Sequence, residues 1–70
     1  MQERNLYFKS SRDDVKLIAE NVTYEEAFGC IANVLEDKGI SPPYYRMWGE
    51  NPIWIDFGSH TQFFAWGDLQ

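Results

Sequence analysis

Apolar and polar residues alternate along this chain in two rhythms, and the change of rhythm marks its elements. From Asn5 to Lys9, Leu6 and Phe8 fall on one side of an extended chain and Tyr7 and Lys9 on the other. That period of two predicts a half-buried strand. Ser10-Ser11-Arg12-Asp13-Asp14 is rich in side chains that bond back to their own backbone and predicts a turn. Val15 to Ala19 alternates again, with Val15, Leu17 and Ala19 set against Lys16 and Ile18. A hairpin is the preferred reading. The competing one is a short helix started by Ser11, with Asp14 three residues on.

The rhythm then lengthens. Thr23 and Glu26 form a Thr-x-x-Glu capping box, in which each side chain satisfies the other residue's free backbone N–H. Glu25 and Glu26 also lie at the positive end of the helix dipole. At about 100° per residue, Tyr24, Ala27, Phe28, Ile31, Val34 and Leu35 gather on one face. Lys38 sits near the negative end, and Gly39 suits the left-handed position that closes a helix. Start, stripe and stop agree.

Ile40-Ser41-Pro42-Pro43 is a connection that no helix passes through. Three apolar runs follow, Tyr44 to Trp48, Ile53 to Phe57 and Gln62 to Trp66. They are separated by Gly49-Glu50-Asn51-Pro52 and Gly58-Ser59-His60-Thr61, both strong turn sequences. Short runs with short links predict an antiparallel meander. The fold class is therefore a single small α+β domain over residues 1–70, one amphipathic helix on an antiparallel or mixed sheet. Its order is ββαβββ, or βααβββ if the early helix forms.

Composition narrows the chemistry. Seventy residues hold one small core and no large nucleotide fold. No apolar run approaches the ~20 residues of a membrane span. Met1 to Ser10 lacks the apolar stretch of a signal peptide, and the single cysteine, Cys30, rules out an internal disulfide. Together they point to a reducing cytoplasm. All six Lys and Arg lie before position 47, and the net charge is −5. Nucleic-acid binding needs clustered cations to neutralise phosphates, so that class is disfavoured. The compact, acidic, cysteine-poor character fits the product of a bacterial or phage accessory gene.

No catalytic constellation stands out, and the chain reads as non-enzymatic. Ser59, His60 and Asp56 suggest a triad, but triads are assembled from separate segments, and a polar turn histidine is the better account. Cys30, at the edge of the helix stripe, reads as a structural thiol. One Cys and one His make no zinc site, and no phosphate-cradling glycine loop occurs. No cofactor or metal is expected.

What remains is aromatic content, 17% of the chain, with eight of twelve rings between Tyr44 and Trp66. One helix covers one face of a sheet, which leaves the other face open. An open aromatic face marks an interface, and Trp and Tyr carry binding energy there. The candidate partner-binding residues are Tyr44, Trp48, Trp54 and Trp66, with Arg46 and Asp56 for register. The partner is another protein or a second copy, with no membrane involved. The alternatives are a nucleic-acid-mimicking inhibitor built on Glu25, Glu26, Glu36, Asp37, Asp13 and Asp14, and a homodimeric structural protein. Against any interface stands the need of a small protein for large side chains to build its core.

Overall fold

A computed structural model describes residues 2–10, 14–59 and 61–69. Its elements are β1 (Arg4–Lys9), β2 (Val15–Val22), α1 (Tyr24–Asp37), β3 (Arg46–Trp48), β4 (Ile53–Asp56) and β5 (Phe63–Trp66). The order is ββαβββ, and the segment after the first turn is a strand, not a helix. Turn residues 11–13 and His60 lie outside the described residues.

The five strands form one sheet in the order β2-β1-β5-β4-β3, and every pairing is antiparallel. The hairpin and the meander are thus both present. They are joined edge to edge when β5 returns beside β1, which places the last strand at the centre of the sheet. Helix α1 packs most closely on β2 and β5. Its buried stripe is Ala27, Ile31 and Leu35, flanked by the half-buried Tyr24, Phe28 and Val34.

The helix begins as the capping box requires. Thr23 Oγ1 accepts from the Glu26 N–H at 3.2 Å, and Glu26 Oε1 accepts from the Thr23 N–H at 2.8 Å. It ends at Gly39, whose φ of 73° lies in the left-handed region. Against it the sheet presents Leu6, Ile55, Phe57, Phe64 and Trp66, all buried. Rings knit this layer together. Phe64 lies 5.1 Å from Phe8 and 5.7 Å from Phe57, and Phe28 meets Tyr45 edge-on at 5.5 Å.

Two features depart from the sequence pattern. The β1–β2 register slips between Leu6 and Tyr7, where Leu6 opposes Ala19 but Tyr7 opposes Leu17. Ile18 is therefore an extra residue, a β-bulge. Ala19 falls on the helix side, while Val15 and Leu17 fall on the other. The strict alternation expected for Val15, Leu17 and Ala19 fails for this reason.

The second departure is Trp66. It was expected among the partner-binding residues, but it is only 4% exposed. Its position opposite both Leu6 and Ile53 puts it on the helix side. There its Nε1–H donates to the Val22 carbonyl at 2.8 Å, its ring meets Tyr24 at 5.4 Å, and the Arg4 guanidinium lies 4.4 Å from its centroid. Trp66 is a core residue that ties β5 to the end of β2. Directly after it, Gly67 has φ 140°, and a Cβ there would run into Asn51 and Pro52, so the chain needs glycine at that point.

Candidate functional site

The face of the sheet turned away from α1 is built from every second residue of the strands, and the pairings set these residues in two rows. Along the first row, Trp48 opposes Trp54, Trp54 opposes Ala65, Ala65 opposes Tyr7, and Tyr7 opposes Leu17. Along the second, Arg46 opposes Asp56, Asp56 opposes Phe63, Phe63 opposes Lys9, and Lys9 opposes Val15. Each row crosses all five strands. At about 4.8 Å between neighbouring strands, the outer strands lie roughly 19 Å apart. Among the described residues no helix crosses this face, since the fold has one helix and it lies on the other side.

The surface is apolar with a few fixed charges. Val15, Leu17 and Trp48 are 50%, 43% and 44% exposed. Trp54, Tyr7 and Phe63 are half-buried, each leaning on its neighbours. Trp48 meets Phe63 edge-on, with centroids 5.8 Å apart, a favoured arrangement for rings. Lys9 Nζ stands 5.9 Å from the Trp54 ring centroid, so its stem crosses the face and keeps its charge beside a π surface.

Asp56 is fully buried although it belongs to this open side. Its Oδ1 accepts the Gly58 N–H at 2.9 Å, and its Oδ2 lies 3.4 Å from Arg46 Nη2. Burying a carboxylate is costly unless it is paired. Here the following turn and the edge strand supply the partners. The arrangement fixes the β4–β5 corner and holds Arg46, whose side chain is 62% exposed, along the rim.

The candidate residues therefore divide. Arg46, Trp48, Trp54 and Asp56 share the open face. Tyr44 precedes β3 and is 44% exposed. Trp66 lies in the core. Tyr7, Lys9, Val15, Leu17 and Phe63 belong to the open face as well, though the sequence reading did not single them out. The alternation of β1 had already set Tyr7 and Lys9 opposite the buried Leu6 and Phe8. The bulge at Ile18 hid Val15 and Leu17. The twelve aromatic residues serve both purposes: seven lie in or against the core, four lie on the open face, and Tyr44 stands beside it.

Elsewhere the chemistry is sparse. Ser59 Oγ hydrogen-bonds Thr61 Oγ1 at 3.1 Å, and the Asp56 carboxylate meets the Gly58 N–H and Arg46. His60, the remaining member of that trio, lies outside the described residues. Cys30 is half-buried on the helix. Among the described residues no group of three or more His, Cys, Asp or Glu is placed to hold a metal ion, and no helix is long and apolar enough to cross a membrane. Exposed Glu25, Glu26, Glu36 and Asp37 leave α1 with four acids and no base. Set against known protein families, curated proteins and solved structures, the chain matches none of them.

Proposed function

We propose that this chain is a small, non-enzymatic, cytoplasmic protein-binding module whose docking surface is the open face of its sheet. The observation that carries the reading is the pair of rows. Seven apolar or aromatic side chains from five strands share a face that no helix covers among the described residues, while the same sheet buries its other face completely enough to make a core. Contiguous apolar surface of this kind is unusual on a protein that has no partner. Trp48, Trp54 and Tyr7 are of the residue types that dominate binding energy. Arg46, tied to Asp56, and Lys9, held beside Trp54, add polar contacts at set positions rather than a diffuse charge field. Tyr44 extends the surface beyond β3.

The acidic side of α1 is the rival surface. Its four carboxylates lie on the opposite side of the molecule, so one experiment separates the two. A photo-crosslinking amino acid replacing Leu17 reports on the sheet face. The same amino acid replacing the exposed Asn33 reports on the helix. Expected are discrete protein adducts at position 17 in a cell lysate and none at position 33. Adducts at position 33 alone, lost in high salt, would transfer the binding role to the acidic helix.

A further inference from the structure

We infer that the occupant of the open face is a second copy of this chain, packed sheet against sheet about a two-fold axis that runs across the strands between the two rows. The inference rests on the reading of this face as a docking surface and names its partner. It stands on three observations: shape, charge and area.

Shape comes first. A two-fold axis along the row direction keeps each strand over its own counterpart and exchanges the rows. Phe63, the ring at the centre of one row, then faces Ala65, the small residue at the centre of the other, and the same contact recurs with the copies interchanged. Leu17 faces Val15 at one margin. Trp54 faces Asp56, whose fully buried carboxylate is paired within its own protomer, so the ring meets no exposed charge there. The alternative axis, along β5, sets Ala65 on Ala65 and Phe63 on Phe63, small against small beside large against large. Facing sheets interdigitate large against small at about 10 Å separation, and only the first axis supplies that match.

Charge agrees. The two rows hold two cations, Lys9 and Arg46, against one carboxylate, Asp56, whereas the whole chain carries −5. The face is thus a part of this acidic molecule where two copies approach without the repulsion of the net charge. Under the same axis Arg46 faces Trp48 and Lys9 faces Tyr7. Each cation meets an aromatic ring, a favourable pairing, and neither meets the other copy's cation. An isologous interface requires such self-complementarity.

Area bounds the contact without fixing its affinity. The molecule measures 30 × 23 × 19 Å, so covering one broad side removes about 600–700 Å² per copy, the lower end of the range for specific interfaces. With the acidic bodies repelling each other, the dimer is reversible, with a dissociation constant of about 10–100 µM.

The test is light scattering on size-exclusion chromatography of the purified full chain, from about 5 to about 500 µM, at low salt and at about 0.5 M salt. Expected is a rise from the 8.2 kDa protomer toward twice that mass, at lower concentration in high salt because repulsion is screened. Leu17→Glu should weaken association at least tenfold. Asn33→Glu, which adds the same charge on the helix side, should change it less than twofold. Trp48→Glu gives a second face variant should Leu17→Glu lose its circular dichroism spectrum. An 8.2 kDa species throughout would overturn the inference, as would a dimer equally sensitive to Asn33→Glu. A monomer that still forms adducts at position 17 in lysate would keep the docking face and remove only the second copy. Neither dimer nor adduct would remove both.

Discussion

Trp48 and Trp66 show how one residue type takes opposite roles when its place in the sheet changes. Each ends a short strand and precedes a glycine. Trp66 belongs to the central strand on the helix side, where its Nε1–H reaches the Val22 carbonyl at 2.8 Å. Trp48 belongs to an edge strand on the open side and is 44% exposed. Replacing each by Phe should separate them. Trp66→Phe removes a hydrogen bond and leaves a cavity, at a cost of about 2–3 kcal/mol. Trp48→Phe, measured in dilute solution, should stay within about 0.5 kcal/mol of the parent. Urea unfolding of both variants checks this, and equal losses would contradict the placement of Trp66 in the core. Nothing local distinguishes the two residues in the sequence. Their difference follows from strand order, in which β5 inserts between β1 and β4, a long-range choice that alternation within one strand does not encode.

At the scale of elements, more was legible, because the signals are local. The Thr23–Glu26 box acts within four residues, and both of its hydrogen bonds form as the sequence implies. Thr23→Ala should cost about 1 kcal/mol, seen as a lower urea midpoint with an unchanged slope. A loss near zero would mean that tertiary packing alone holds the helix start. The turns after Trp48 and Phe57 were equally plain, since Gly, Asn and Pro restrict or free the backbone wherever they stand. The second strand was harder to read. Its eight residues pair with six in β1 through two register shifts, and the one at Ile18 sets Val15 and Leu17 on the open face while Ala19 faces the helix. The bulge has a further consequence at the sheet margin. It bends β2, which is an edge strand, and with Lys16 and Glu20 it discourages another strand from adding there.

For the molecule as a whole, the sheet has two apolar sides, and among the described residues one helix covers one of them. A chain of seventy residues buries only about 60% of its unfolded surface, so its stability alone is modest. Covering the second side would add to it by mass action. With a dissociation constant near the middle of the expected range, raising the protein from about 5 to about 500 µM stabilises each protomer by about 1 kcal/mol. For a domain of this size that corresponds to a rise in the thermal midpoint of about 4–8 °C. The Leu17→Glu variant should show a midpoint independent of concentration, because its face no longer pairs. Salt should act in the same direction as concentration for the parent, since it screens the repulsion between two bodies of charge −5. Differential scanning calorimetry over that concentration range measures both effects. If the parent's midpoint does not move with concentration, stability lies wholly within one protomer, and the open face is held for a partner of a different sequence.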